Sequence, residues 1–282
     1  MNGDTPTTDL LIVGAGPTGL TAACDAARHG LSVRVIEKRA ARAEYSKALV
    51  VHARTMEVFE RLGCADDVLG RGARFRALHV HTRPGHARTR VDLLDRRWGD
   101  TRYPFWLSVP QYEVERALER RLAAVGVPIE WATELDALTQ SPDAVTATLR
   151  GPGSATSAHR ARWLLGCDGG RSATRDLVGV TLHRRALGVS FALADVETEA
   201  EIAEDEGHMV WADEGLVLVV PMPAPRVWRL IAQVDRTTPE LDAAGWGALV
   251  KRRSGIDLAV RAMGWSSRFE LTSGVSEGMR RG

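Results

Sequence analysis

The sequence predicts an α/β chain in which a nucleotide-binding βαβ unit leads into a mostly antiparallel β region. Three observations carry that prediction. An apolar run, Leu10 to Val13, is followed by Gly14, Gly16 and Gly19 at G-x-G-x-x-G spacing. A second apolar segment, Ser32 to Ile36, ends at Glu37, about 20 residues beyond the glycines. From Val180 onward, short alternating strands replace helices almost entirely.

Each element has a local reason. Leu10 to Val13 is short and continuously apolar, the pattern of a strand buried on both faces. Gly14 permits a sharp turn, Gly16 lets the backbone approach a pyrophosphate, and Gly19 lets the helix from Pro17 to His29 pack closely on the strand. Ala15, Pro17 and Thr18 complete the GAGPTG segment, and the helix start offers free N–H groups and a partial positive charge to phosphates. Glu37, at the end of the second strand, is placed to accept hydrogen bonds from a ribose. The unit is therefore Rossmann-like.

The segment Lys38 to Lys47 is basic and lacks an apolar period, so it reads as a surface loop, either a cationic rim for phosphates or a solvated turn. Ala48 to His52 suits a short strand, and Arg54 to Leu62 a helix closing at Gly63. Phe75 to His81 and Arg88 to Leu94 read as a hairpin-like excursion turning at 83–86, and residues 75–98 are candidates for pairing with the later strands. Alternation puts His79 and His81 on one face, but no third ligand stands at a fixed offset and no metal site is expected. The aromatic stretch Asp95 to Ser108 reads as a loop, either pinned to the core or lining an apolar ligand site.

Gln111 opens a helix running to Gly126, with Val114, Leu118, Leu122 and Val125 as its apolar stripe and Glu115, Glu119 and Arg120 off it. A strand at Val127 to Trp131 and a meander to His159 follow, and Arg162 to Gly166 returns a buried strand to the first sheet. Asp168 then stands at the carboxyl end of that strand, where open α/β sheets bind ligands, although Asp168-Gly169 is also ordinary turn or N-cap chemistry. Beyond it, strands are expected at Gly188 to Val196, Gly215 to Val220, Val227 to Val234 and Trp265 to Leu271, with one helix at Pro239 to Lys251. The division predicted is 1–180 for nucleotide binding and 181–282 for a β region that floors a substrate cavity.

Composition narrows the partners. A formal net charge of +1 gives no electrostatic case for nucleic acid or an anionic membrane surface. Cys24, Cys64 and Cys167 form no C-x-x-C pair, which fits neither a disulfide framework nor a cysteine zinc site and points to a reducing cytoplasm. The leader lacks the basic region of a signal peptide, and glycines interrupt the first apolar run before membrane-spanning length.

Three stretches together resemble one family, the FAD-dependent aromatic hydroxylases of the polyketide and phenol branch: GAGPTG with Glu37, SKALVVHARTMEVFERLG at 46–63, and LLGCDGGRSATRDLVGV at 164–180. The resemblance implies that FAD is the cofactor, that Glu37 holds the adenosine ribose with Lys38 beside it among the cofactor-binding residues, and that Asp168 and Gly169 meet the ribose or ribityl chain. By the same match Lys47 lies near the flavin and nicotinamide phosphates, and Gln111 faces the flavin. The chemistry implied is hydride transfer from NAD(P)H, formation of a flavin C4a-hydroperoxide from molecular oxygen, and hydroxylation of a small aromatic substrate. No catalytic base is singled out, since neither His52 nor His208 has distinctive spacing. The family continues with another strand and a Gly-Asp motif, whereas this sequence ends at Gly282, so the first sheet is expected to lack a strand and to present an edge open to a homo-oligomer partner or a complementary C-terminal chain; the alternative reading is a catalytically incomplete FAD-binding fragment or one half of a two-chain flavoprotein.

Overall fold

A computed structural model of the chain describes residues 7–81, 89–94 and 99–282. The turn expected at 83–86 lies outside the described residues. In chain order the opening unit is β1 (Thr7–Val13), α1 (Pro17–Arg28) and β2 (Val33–Ile36), followed by β3 (Val50–Val51), α2 (Ala53–Leu62), α3 (Ala65–Leu69) and β4 (Ala73–Arg74). The chain then forms β5 (Ala77–His81), β6 (Thr89–Asp92), β7 (Leu107–Ser108), α4 (Gln111–Ala124) and β8 (Ile129–Glu130). A meander of β9 (Glu134–Gln140), β10 (Val145–Arg150) and β11 (Thr156–Gly166) leads through α5 (Ala173–Leu177) to β12 (Leu182–Thr198). Last come β13 (Glu206–Ala212), β14 (Gly215–Pro221), β15 (Val227–Val234), α6 (Ala243–Ser254) and β16 (Val260–Ser276).

The first sheet has the order β8-β2-β1-β11-β10-β9, with β1 parallel to both β2 and β11 and the β9–β10–β11 meander antiparallel. The continuous apolar run of β1 is explained by its two buried faces. Ile12 packs into a core with Leu20, Val35, Phe59 and Leu118, beneath α1 and α4, while Leu11 and Val13 join Ile36, Leu149 and Ala161 on the other face.

The second sheet has the order β16-β12-β15-β14-β13-β5-β6. One face packs on α6, where Ala194, Val210, Val219, Trp228 and Leu230 meet Trp246, Leu249 and Val250. Period-two alternation sends Phe191, Asp195, Leu218, Arg229 and Ile231 to the opposite face. The excursion β5–β6 joins this sheet through parallel pairing of β5 with β13, in which His79 stands opposite His208.

Several expected boundaries move. Glu206–Ala212 is a strand that local pattern missed, because Glu206, Gly207 and His208 open it with poor strand formers. α6 starts at Ala243 rather than Pro239, since the Asp242 side chain caps it by accepting from Gly245 N–H at 2.7 Å. The strand expected at 127–131 shrinks to β8, which only needs to pair with Val35 and Ile36. Among the described residues, no helix is long and apolar enough to cross a membrane.

Candidate cofactor-binding site

The three glycines after β1 have two distinct reasons. Gly14 has φ 106°, and a Cβ there would lie 2.5 Å from the Cys167 carbonyl oxygen. A Cβ on Gly19 would lie 1.9 Å from the Gly14 carbonyl oxygen, so this contact between α1 and the turn tolerates no side chain. Around Gly16 nothing lies within 4 Å of where a Cβ would stand. Packing therefore demands two of the glycines, and the third keeps a space open. That space lies at the N-terminus of α1, where Pro17 occupies the first turn and no side chain caps the free N–H groups.

Glu37 closes the far side of the turn. Its carboxylate accepts from Ala15 N–H at 2.9 Å and from the N–H and Nε of Arg39, both at 3.0 Å. Burial works against the charge, but the Arg39 and Ala15 hydrogen bonds outweigh it and hold the carboxyl below its ordinary range. Arg39 Nη2 adds a longer contact to Oε2 at 3.4 Å, so the carboxylate's roughly four acceptor positions are all engaged, and a ribose hydroxyl would take the place of that longest bond. The main chain is fixed as well, with Glu37 N–H donating to Glu130 O and Thr133 N–H donating to Glu37 O, both at 2.9 Å.

Asp168 lies across the cavity. It accepts from Ser172 Oγ at 2.5 Å and from Thr174 N–H and Oγ1 at 2.9 and 3.1 Å, while Ser172 caps α5. The turn chemistry that sequence offered for Asp168 is thus present, and the same residue also lines the cavity. A hollow of about 230 Å³ is bounded by Gly14, Gly16, Glu37, Lys38, Arg39, Cys167, Asp168 and Gly169. Arg39 and Cys167 were not anticipated there. Arg39 had a faint signal in the basic loop, and Cys167 had none. The open volume at Gly16, the uncapped helix start and a carboxylate at the strand end fit a dinucleotide's phosphates and ribose.

Lys47 and Gln111 stand outside this hollow and meet each other at Ala48. Ala48 O accepts from Gln111 N–H at 3.3 Å and from Arg229 Nη1 at 3.4 Å, and Lys47 O accepts from the same nitrogen at 3.1 Å. The Lys47 ammonium lies over the Phe269 ring, 4.9 Å from its centroid. His79 and His81 gather on the α6 side of the second sheet, where His79 stacks on His208 at 4.9 Å and pairs with Glu206. Among the described residues, no group of three or more histidine, cysteine or acidic side chains is arranged to hold a metal ion.

A family model described as an FAD binding domain matches residues 7–282. The chain belongs to that family. This FAD-binding-domain protein is 36% identical over 276 residues to a 6-methylpretetramide 4-monooxygenase of Streptomyces rimosus, covering 97% of the chain and 49% of the relative. Identity is also 36% over 172 residues to a pentachlorophenol 4-monooxygenase of Sphingobium chlorophenolicum, covering 61% of the chain and 31% of the relative. The solved anhydrotetracycline hydroxylase OxyS of Streptomyces rimosus superimposes with a TM-score of 0.74 at 27% identity, over 98% of this chain and 54% of that one. The chain spans about half the length of the monooxygenase and the hydroxylase that it matches over nearly its whole length.

Proposed function

We propose that this chain is the FAD-binding part of a monooxygenase that hydroxylates an aromatic, phenolic or polyketide-type substrate at the expense of NAD(P)H and molecular oxygen. The observation that carries the reading is the hollow in which the open Gly16 turn, the α1 N-terminus, Glu37 and Asp168 converge. In it, the α1 N–H groups would hold the pyrophosphate, Glu37 the adenosine ribose, and Asp168 with Gly169 the ribose or ribityl chain. Lys38, at the rim, would offer a cation to the phosphates, and Lys47 and Gln111 would stand toward the flavin. Bound FAD would supply the redox chemistry, taking reducing equivalents from NAD(P)H and activating oxygen.

The chain's own residues provide binding, orientation and shielding. Half-buried Met209, Leu218, Val220 and Ile231, on the face of the second sheet away from α6, form an apolar wall against which a planar ring can lie. The relatives' names, with their polyketide and chlorophenol substrates, agree with such a wall.

One observation favours a second reading, an FAD-binding unit that needs another segment for catalysis. Among the described residues, β11 pairs with β10 only as far as Ala161, leaving one edge of 162–166 open, with Trp163 and Leu165 exposed. The visible spectrum of the purified chain, after FAD loading and removal of free ligand, separates the readings. A retained flavin band that anaerobic NADPH bleaches supports the monooxygenase; a retained band that NADPH leaves unchanged supports the unit needing a further segment. A colourless protein overturns both.

A further inference from the structure

Glu115 is the most buried carboxylate among the described residues, 2% exposed, and lies one turn beyond Gln111 on α4. Its neighbours on the helix, Val114, Ala117 and Leu118, are core residues, and nothing in that packing calls for a charge. Its Oε1 accepts from Gln111 Nε2 at 2.8 Å. The charged groups facing it are Arg39 and Arg42, from the segment after β2, and Glu119, one turn further along α4. Arg39 in turn holds Glu37 in the cofactor hollow. Glu115 is therefore hydrogen-bonded to Gln111 and shares the charge of Arg39 with Glu37.

Carboxylate chemistry fixes the amide. An ionised carboxylate only accepts, so Gln111 must turn its NH₂ inward and its carbonyl oxygen outward. We propose that Glu115 is a positioning residue, holding the Gln111 amide so that its carbonyl oxygen meets a hydroxyl or N–H donor of the flavin nucleotide. This rests on the FAD reading above. A protonated Glu115 carries an O–H that can donate to the Gln111 carbonyl, which allows the amide to reverse and aim NH₂ at the same donors. Two donors then oppose each other, and binding weakens.

The test is FAD affinity, measured by quenching of flavin fluorescence, for the chain and its Gln111→Ala, Glu115→Gln and double variants between about pH 5 and 8. Each single variant is expected to bind FAD about tenfold more weakly, with the double variant no weaker than either, because one interaction is removed in all three. The unsubstituted chain should lose affinity toward acid pH, and Gln111→Ala should lack that fall. That second comparison leaves position 115 intact, so it stands even if Glu115→Gln fails to fold. Losses that multiply in the double variant overturn the proposal, as does a Gln111→Ala profile parallel to that of the unsubstituted chain. An unsubstituted chain that takes up no FAD overturns the cofactor reading as well, whereas FAD uptake indifferent to both substitutions overturns this proposal alone.

Discussion

Arg229 and Asp195 face each other across β15 and β12 in a two-pronged pair, 2.7 Å from Nε to Oδ1 and 2.8 Å from Nη2 to Oδ2. The guanidinium is 1% exposed, and its remaining nitrogen reaches the carbonyls of Lys47 and Ala48. A fork buried in the second sheet thereby holds the loop that carries Lys47. Arg229→Ala strands the Asp195 charge and two carbonyls, and should cost about 3–5 kcal/mol in urea unfolding. Arg229→Lys retains the charge without the fork geometry and should recover only part of that loss. A stability equal to that of the unsubstituted chain in both variants would show that the fork holds nothing.

The glycines separate folding from ligand binding. Gly19→Ala forces a methyl group into the Gly14 carbonyl and should prevent the turn from forming, seen as loss of soluble folded protein. Gly16→Ala meets open space, so its effect on unfolding should stay near the cap penalty of about 1 kcal/mol. If phosphates occupy that space, FAD affinity should fall at least tenfold in Gly16→Ala. Unchanged affinity there would place the ligand elsewhere.

Acid should loosen the first sheet through His159. This buried side chain on β11 shares a 2.9 Å hydrogen bond with Thr8 Oγ1 on β1, and burial, reinforced by Arg34, holds its pKa below the ordinary 6.5. The unfolded chain thus takes up a proton at a higher pH than the folded one. Its contribution is intact above the unfolded value and declines as pH falls through about 6.5 toward the folded pKa. The melting temperature should drop between about pH 7 and 5.5, and His159→Gln should flatten that part of the profile.

Thiol labelling gives an independent map of the hollow. Burial pushes Cys24 up to about 12 and Cys64 up to about 11, so both should resist alkylation in the folded chain. Cys167 is only partly buried and lines the hollow. Mass spectrometry should find Cys167 modified first, and FAD should slow that modification. Equal labelling with and without FAD would exclude occupancy beside Cys167.

What sequence revealed and what it concealed divide along a physical line. The GAGPTG turn, Glu37 and α4 were legible because their causes are local: backbone freedom, a helix start and a 3.6-residue period. Glu115 was misread as lying off the apolar stripe, because the segment carrying Arg39 and Arg42, which bring charge to it, has no period that reveals where it folds. The Arg229–Asp195 fork and the gathering of His79, His81 and His208 arise from strand register between distant segments, which a single strand's alternation does not encode. Lys47 and Gln111 were placed by resemblance, and their meeting at Ala48 is visible only in three dimensions.

The insertion of β5 and β6 into the second sheet also sets a timetable for synthesis. That hairpin leaves the ribosome long before β13, its partner in the sheet, has been translated. At about 5–20 residues per second, the nascent chain carries an unpaired strand edge on β5 for roughly 10 s. The first sheet, whose strands all precede β12, has its full set earlier, whereas the window in which a chaperone would be needed at β5 closes only once β13 emerges.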